Sequence, residues 1–476
     1  MAMIVMASCA KENVQPNNEP TGEKALLEIG LASTKTQLGE EDKVNKLFPI
    51  VWSDGDEIAV IENMGIEGKQ NVSVYRLKEG AGTANGVFEH VSGDAFPKVI
   101  NDVVYPASAV MPNSTLISEI PIVNVSSLVP KDQTQSYEEG NFDKNAAVMY
   151  FHRNNPADKI VLEPLSSIIC IPIKGFDDND VVTAVKWQNM DGRTATVTLN
   201  CPNGVTLSKG QATNFYLSIQ PMLKDCNGIA YVYLKNGAIQ VKTPRNLKAF
   251  KAGTLHRFPE WTLSKKAKWS ILAQGSERDN DTYNGIPYGP AKYMIDGNDV
   301  SWWEFRRQLN AKKTGPEMAG PHTVVIDLGS VQKITGIKIK SKETEDKNEP
   351  KYGITYTKNG KTYDIYGTQS YNPPHTFHVG FTKTLPNNSE IKKFTEFDSN
   401  RKFTWPEGIT TTTFPKEVNT STSINNYYGE NKNTWWDNKI EPTSARYVFI
   451  HFEKAWDNAG TKPAASMMKI AELDIY

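Results

Sequence analysis

Residues 291–304, which read AKYMIDGNDVSWWE, decide how the C-terminal part of this chain folds. They place a turn signal at residues 296–298 (Asp-Gly-Asn), a hydroxyl, two tryptophans and a carboxylate in one short span. The expected complement is the end of the chain, residues 470–476 (IAELDIY). We expect this last segment to form a strand beside the turn and to bring Glu472 near Asp296. Such a pairing indicates a binding role rather than catalysis.

The length and composition of the chain indicate its general class and bear on its possible partners. The chain has 476 residues, enough for two or three domains, and its hydrophobic fraction of 39% fits a soluble globular protein. Lys and Arg total 53 against 54 Asp and Glu, so nothing in the overall charge favours nucleic acid or an anionic membrane surface as a partner.

Four cysteines in a chain of this length do not form a disulfide scaffold. Cys170 lies in the apolar run 168–171 and is interpreted as a small core residue. Cys201 and Cys226 could pair, and the sequence leaves that question open. Residues 1–9 (MAMIVMASC) resemble the lipobox of a bacterial lipoprotein, which implies lipidation of Cys9. The alternative is a frayed terminus with an unrelated cysteine.

From residue 25 onward, short apolar or alternating runs are separated by turn residues. Examples are residues 57–61 (EIAVI), 195–199 (ATVTL) and 230–234 (AYVYL), with turns such as 54–56 (DGD) and 236–237 (NG). This spacing, without a helical period, predicts β-sandwich structure.

The order of four segments in this region resembles the fimbrillin family, the type V pilins of Bacteroidetes: residues 34–36 (TKT), 52–60 (WSDGDEIAV), 105–107 (YPA) and 162–169 (LEPLSSII). The resemblance implies a surface lipoprotein with two tandem β-sandwiches. It also implies proteolytic removal of an N-terminal strand and exchange of strands between pilin subunits. Lys35 stands at the processing position, where the family often has arginine. The alternative for Lys35 is a solvated loop lysine.

The final third begins after the basic run 264–268 (SKKAK), which is interpreted as a solvated linker. The segments that follow resemble the discoidin, or coagulation-factor C-type, domain, which is a jelly-roll β-sandwich that often binds carbohydrate in bacteria. Five segments carry the likeness in order: residues 296–298 (DGN), 301–303 (SWW), 322–329 (HTVVIDLG), 444–448 (SARYV) and 471–473 (AEL). The span from about residue 375 to 442 is longer than the family pattern and predicts an inserted hairpin or a binding loop.

A calcium ion takes oxygen ligands from carboxylates, hydroxyls and carbonyls. The discoidin resemblance implies a structural Ca²⁺ held by Asp296, Asn298, Ser301, Ala471 and Glu472. The alternative is that residues 296–298 form only a turn and Glu472 is a surface residue.

A sugar site needs an aromatic face to stack on the pyranose ring and polar groups to bind its hydroxyls. The candidates for ligand contact are Trp302, Arg306, Arg307, Trp435, Trp436 and Trp456. Trp303, at the tryptophan position of the discoidin pattern, is expected in the core. For each tryptophan candidate, a packing role is the alternative.

Enzyme signatures are weak. The sequence contains no phosphate-binding Gly-x4-Gly-Lys-Ser/Thr, no His-Glu-x-x-His and no Gly-x-Ser-x-Gly motif. His375 and His378 are spaced as a poor zinc pattern, and Pro373-Pro374 before them favours a surface loop. We expect that the chain is not an enzyme; a hydrolase recognisable only by its binding module is the remaining alternative.

We therefore predict an all-β chain of tandem fimbrillin-like β-sandwiches followed by a discoidin-like jelly-roll sandwich. Residues 1–23 are a signal remnant and tether. Residues 24–262 are the fimbrillin-like region, divided near residue 155, and residues 263–476 are the binding domain. The predicted protein is a glycan- or glycoprotein-binding adhesin of the bacterial cell surface, lipid-anchored at the outer membrane or carried on a pilus as its tip subunit. The alternative is a glycan-capture lipoprotein that does not polymerise.

Overall fold

The computed structural model is built almost entirely of β-strands, in agreement with the predicted fold class. The residues that it describes are 26–31, 51–94 (without 65, 67 and 68), 101–111, 128–135, 143–155, 158–190, 196–275 (without 223 and 245), 281–283, 286–304, 322–341, 352–358, 361–367, 377–395, 405–414, 436–452 and 469–476. In this part of the chain, no helix is long and apolar enough to cross a membrane.

The first body is a closed seven-stranded barrel with the strand order β1-β4-β3-β2-β5-β7-β8. Its strands are β1 (Leu26–Leu31), β2 (Glu57–Glu62), β3 (Asn71–Glu79), β4 (Asn85–Ser92), β5 (Asn101–Tyr105), β7 (Met149–Arg153) and β8 (Ile160–Pro164), and β6 (Asp132–Thr134) lies between β5 and β7 in the chain. β1 closes the barrel because it pairs antiparallel with β4 and parallel with β8.

The barrel is organised around a buried indole. Trp52 is fully buried, and the rings of Phe88 and Tyr105 meet it edge-on at centroid distances of 4.8 and 5.5 Å. The turn predicted at residues 54–56 follows directly: Gly55 adopts a φ of 80°, and the backbone N–H of Ser53 donates to the Asp56 carboxylate at 2.8 Å. The sequence predicted a sandwich here, and the structure instead closes the sheet on itself.

The second body is a sandwich of two sheets, with strand orders β14-β13-β10-β11-β6 and β12-β9-β15, and β16 pairs with β9. Its remaining strands are β9 (Ser167–Lys174), β10 (Val181–Asn189), β11 (Thr196–Thr206), β12 (Thr213–Ile219), β13 (Gly228–Leu234), β14 (Ile239–Lys242), β15 (Leu255–Arg257) and β16 (Trp261–Thr262). Because β6 precedes β7 and β8, the first two bodies interleave in sequence. The chain leaves the barrel between β8 and β9, later than the predicted division near residue 155.

In the core of the second body, cysteine side chains pack beside large aromatic rings. Cys201 and Cys226 pack in this core with Trp187, Phe215 and Phe250. Cys201 and Cys226 are both thiols and do not form a disulfide bond with each other. Cys170, which is also buried, is a thiol as well. Burial raises the pKa of the Cys201 thiol to about 12, so it behaves as a small apolar side chain.

The third body is built on a nine-stranded sheet: eight strands follow the order β18-β19-β20-β27-β21-β26-β24-β25, and the ninth, β17, pairs with β21. Its strands are β17 (Ser270–Gln274), β18 (Asp281–Tyr283), β19 (Ile286–Gly289), β20 (Trp302–Glu304), β21 (His322–Ser341), β22 (Tyr352–Lys358), β23 (Lys361–Gly367), β24 (Phe377–Thr382), β25 (Thr410–Phe414), β26 (Trp436–Phe452) and β27 (Lys469–Ile475). β22 and β23 form a separate hairpin with Lys358 opposite Lys361, as the Asn-Gly pair between them predicts.

The long strand β21 determines the shape of this body. Its register shifts between Asp327 and Gln332, where Gly329 has a φ of 80°. Residues before the shift pair with β17 and residues after it pair with β27, while β26 pairs along both halves. Both halves contribute to one core cluster, including Ile326 and Ile337, so the sheet curves around that core as a sandwich does.

Part of the unusually long span 375–442 forms a covering layer. β24 and β25 pair antiparallel, and the helix α1 (Asn388–Thr395) lies between them in the chain. Phe394 of this helix contacts Phe449 edge-on at 5.1 Å and lies 5.5 Å from the ring of Trp405. These side chains bury the outer face of the sheet around Val325. Residues 415–435 of the span lie outside the described residues.

Candidate functional site

The loop at residues 296–301 folds around the carboxylate of Asp296. Gly297 has a φ of 79°, which permits the tight turn. The backbone N–H of Asn298 donates to one carboxylate oxygen at 2.8 Å, and the Ser301 hydroxyl donates to the other at 2.5 Å. Asp296 and Ser301 are both fully buried. The loop is therefore held by its own side chains, and its carboxylate faces the protein interior.

The last strand runs beside this loop, as the sequence predicts. β20 begins directly after Ser301 and pairs antiparallel with β27, placing Trp303 opposite Ile470. This pairing brings the next two residues of β27, Ala471 and Glu472, to the loop, with exposed fractions of only 1% and 3%. Trp303 is 1% exposed and belongs to the main core cluster, which confirms its expected structural role.

A lysine from the preceding segment pairs with the carboxylate of Glu472. Lys266 belongs to a 3₁₀ helix, Lys265–Lys268, and its ammonium forms a close ion pair with Glu472. The charges of Asp296 and Asp474 also act on this ammonium, which lies 5.7 Å from the ring centroid of Trp269. Lys266 is only 7% exposed, so the interpretation of residues 264–268 as a solvated linker was wrong.

Burial shifts the titration of both charged partners. Desolvation lowers the pKa of Lys266 to about 8, opposed by the carboxylates of Asp474 and Asp296. Desolvation likewise raises the pKa of Asp296 well above its usual range, although the hydrogen bonds from Ser301 and Asn298 act in the opposite direction. The pKa shifts of Lys266 and Asp296 have the same cause: both side chains are buried where the second and third bodies meet.

The residues as arranged do not fit a calcium ion. Asp296, Asn298 and Ser301 supply oxygens, but they satisfy one another, with the Ser301 Oγ also 3.3 Å from the Asn298 carbonyl. The ammonium of Lys266 occupies one oxygen of Glu472. No group of three or more His, Cys, Asp or Glu side chains among the described residues could hold a metal. Calcium at this place stays a prediction of the discoidin resemblance.

The second body contacts the loop directly through its edge strand β14. The N–H of Val241 donates to the Asp296 carbonyl at 3.0 Å, and the Asn298 side-chain amide donates to the Val241 carbonyl at 3.3 Å. Next to them, Gln240 is 2% exposed and accepts from both the N–H and the hydroxyl of Ser264, at 3.2 and 2.8 Å. The edge of one sandwich is therefore covered by the loop of the next.

Among the ligand candidates, Trp302 is placed differently from the expectation. It is 2% exposed, and its ring stacks on that of Tyr288 at 4.6 Å with an interplanar angle of 11°. The two residues are cross-strand partners in β19 and β20. A ring enclosed in this way has no face open for a sugar, so the structure corrects its proposed role to packing.

Trp436 begins β26 and lies opposite Ile339 of β21. Its side chain is not among those described, and several other predicted site residues lie outside the described residues altogether: Arg306, Arg307, Trp435, Trp456, Cys9 and Lys35.

Sequence reasoning missed Lys266 and Gln240, two buried side chains at the junction of the second and third bodies. The signal available for Lys266 was its position directly before buried Ala267 and Trp269, which is unusual for a solvated linker. Gln240 offered no signal, since its role depends on contact with a distant segment.

No protein-family model and no curated protein matches this chain. Among solved structures, it is similar to the C-terminal domain of a chitobiase from Bacteroides fragilis, with 15% identity over 45% of this chain and 95% of that chain and a TM-score of 0.25. It is also similar to a family 32 carbohydrate-binding module from C. perfringens NanJ in complex with galactose (15% identity, 44% and 95% covered, TM-score 0.24). A third is chitosan-binding module 2 of a Paenibacillus chitosanase/glucanase in complex with chitotriose (14% identity, 45% and 99% covered, TM-score 0.23).

Proposed function

We propose that this chain is a cell-surface adhesin that binds a glycan or glycoprotein through its C-terminal body, residues 263–476. The observation that carries the proposal is the convergence of the discoidin-like segments. The first segment, residues 296–298, lies in the loop before β20, and the other four reach four consecutive strands of one sheet, β20-β27-β21-β26. This neighbourhood supports the discoidin-like sandwich, for which carbohydrate binding is the expected activity.

The pair Trp435-Trp436 is the strongest candidate for the sugar-stacking surface. Ile339 lies opposite Trp436 on one side and opposite Leu473 on the other. Neighbouring strands are about 4.8 Å apart, so the main chain of Trp436 lies roughly 10 Å from that of Leu473. Lys340, the next residue of β21, forms an ion pair with Asp299 of the loop. Trp436 therefore begins its strand at the same end of the sheet as the Asp296 loop.

The test is binding of the full chain to a glycan array, followed by titration of the best ligand. Trp435→Ala and Trp436→Ala are each expected to weaken binding by about tenfold or more, since loss of one stacking aromatic costs on the order of 1–2 kcal/mol. Phe176→Ala is the matched control, because Phe176 is an aromatic of the second body with 41% of its surface exposed. Unchanged binding by both tryptophan variants, with their circular dichroism intact, would contradict the assignment.

The adhesin is further proposed to be the tip subunit of a pilus. β1 alone closes the barrel between β4 and β8, and Lys35 follows shortly after β1 in the sequence. Cleavage there would release β1 and expose two strand edges, to which a strand from another pilin subunit can add. A bulky binding body suits a tip position, because a tip subunit has one end free. Cell-surface protein that begins after Lys35 and migrates in high-mass polymers is the expected result.

The second candidate function is a glycan-capture lipoprotein that does not polymerise, anchored to the outer membrane through a lipid on Cys9. The observation that favours it is that β1 already completes the barrel, which leaves no barrel edge open in this form. Surface protein that retains residues 10–35, carries lipid and runs as a monomer would select this function over the tip subunit. Glycan binding through the C-terminal body is common to both.

A further inference from the structure

The junction between the second and third bodies contains a buried positive charge that the glycan-binding role does not use. Lys266 enters from the segment that connects the two bodies, and its side chain is 8% exposed while that of Glu472 is 4% exposed. Asp296, whose charge also acts on this ammonium, is fully buried. An ammonium that pairs with one buried carboxylate and feels the charge of a second supplies the positive charge that a bound cation would otherwise bring to them.

The charges of the pocket can be balanced by the lysine or by a divalent ion, but not by both together. Asp296 and Glu472 can bring two negative charges to the pocket, and Lys266 supplies one positive charge. Asp474 has its own partner, since the ammonium of Lys265 lies 3.0 Å from it. A divalent ion added beside Lys266 would leave a net positive charge in a buried space, which is costly. With Lys266 neutralised or removed, the same two carboxylates would balance a divalent ion.

The oxygen atoms of the pocket are also largely engaged. Calcium takes about six to eight oxygen ligands. Here both carboxylate oxygens of Asp296 accept hydrogen bonds from Asn298 and Ser301, and one oxygen of Glu472 accepts from Lys266. The remaining oxygen, Glu472 Oε2, is buried with no hydrogen-bond donor among the described residues. While the Lys266 ammonium is in place, one open oxygen is far from a calcium coordination shell.

The segment that delivers the lysine is fixed on both of its sides. Toward the second body, Lys268 forms ion pairs with Asp180 and Asp177 at 2.6 and 2.7 Å, and the Asn236 amide donates to the Ala267 carbonyl at 2.8 Å.

Toward the third body, Lys265 donates to the Ile475 carbonyl at 2.8 Å, and Lys266 reaches Glu472. The position of the Lys266 ammonium therefore depends on both bodies being in contact with this segment.

We propose that Lys266 is an internal substitute for a bound divalent cation. Its ammonium bridges the Asp296 loop to the last strand and makes the junction of the second and third bodies independent of calcium. It follows that wild-type protein needs no metal to hold residues 296–301 against Glu472, and that loss of the ammonium converts the pocket into a calcium site.

The experiment compares the full chain and its Lys266→Met variant in about 2 mM CaCl2 and in excess EGTA. Methionine keeps the length and apolar stem of lysine and removes its charge. We expect the Tm of the wild type to differ by less than about 1 °C between the two conditions. We expect Lys266→Met to melt lower than wild type in EGTA and to regain about 5 °C or more in CaCl2, as binding to the folded state alone requires. Isothermal titration calorimetry should give a stoichiometry of one calcium ion per chain for the variant and no binding of calcium by the wild type.

Lys242→Met is the matched control. Lys242 also lies near a tryptophan, 5.8 Å from the ring centroid of Trp261, but it is outside the pocket. This variant is expected to show no response to calcium.

Saturable binding of one calcium to the wild type, with a rise in its Tm, would overturn the proposal. Failure of folded Lys266→Met to gain calcium affinity would overturn it as well. If Lys266→Met does not fold in EGTA, Lys266→Gln purified in CaCl2 and then titrated with EGTA gives the same comparison; unchanged stability on chelation would refute the substitution. Glycan binding is not a readout of any of these measurements, so their outcome is separate from that of the proposed function.

Discussion

Replacing Trp302 with alanine separates a packing role from a ligand-binding role at this residue. The structure encloses the indole at 2% exposure against the ring of Tyr288. We therefore expect Trp302→Ala to destabilise the C-terminal body and to leave its intrinsic affinity for a glycan unchanged.

The magnitude follows from the buried area. An aromatic side chain of this kind buries about 150–250 Å², which at about 25 cal/mol per Å² corresponds to roughly 4–6 kcal/mol as an upper estimate. Large aromatic-to-alanine substitutions in cores cost about 3–5 kcal/mol, and we expect about 4 kcal/mol here. For a body of this size, that loss lowers the Tm by about 8–16 °C. Trp302→Phe keeps the stack on Tyr288 and should lose only about 1–2 kcal/mol.

The assay is thermal unfolding of the full chain followed by near-ultraviolet circular dichroism, with glycan titrations at a temperature where every variant is folded. Leu272→Ala is the control, since Leu272 lies in β17 of the same body with 41% of its surface exposed and should change stability by less than about 0.5 kcal/mol. A Trp302→Ala protein with wild-type Tm and more than tenfold weaker glycan binding would refute the packing assignment. It would show instead that the indole contacts ligand.

Two further predictions concern the second body. A Cβ added at Gly228 would lie 1.7 Å from the buried ring of Trp187, so Gly228→Ala should lower the free energy of unfolding by about 1–3 kcal/mol or more. Gly210→Ala is the control, because the nearest atom to its Cβ would be 3.7 Å away, and it should change the unfolding midpoint little. Burial lowers the pKa of His256, which lies against Phe250 at 4.3 Å, below its ordinary value of 6.5. The unfolded chain therefore binds this proton more readily, so stability should be full above pH 6.5 and decline as the pH falls below it. The Tm of His256→Gln, measured across the same pH range, should show a shallower decline; an equal decline in both proteins would contradict this role.

Much of the third body could be predicted because its signals are local. The Asp-Gly-Asn turn needs only a residue that tolerates a positive φ, and Gly297 supplies it. The Asn-Gly pair between β22 and β23 specifies a hairpin by the same kind of local preference. The pairing of the last strand beside Trp303 followed from the order of segments in the discoidin pattern.

Other features could not be predicted, because they depend on which distant surfaces meet. The alternating pattern of the first body suits a sandwich and a barrel equally, and only the pairing of β1 with both β4 and β8 closes the sheet. Trp302 stands next to core residue Trp303, and neighbouring positions in a strand point to opposite faces. The sequence left ligand contact and packing as alternatives for Trp302, and only β19, which places Tyr288 over the ring, decides for packing.

The sequence by itself determined the all-β class, the turns and the place of the last strand, since hydrophobic alternation and turn residues act over a few neighbouring positions. Only the tertiary structure decided which group pairs with Glu472. The basic run 264–268 reads as solvated because lysine is costly to bury alone. Lys266 becomes buried here because two bodies meet around it and a carboxylate from a distant segment, Glu472, lies 206 residues away in the chain and pairs with it.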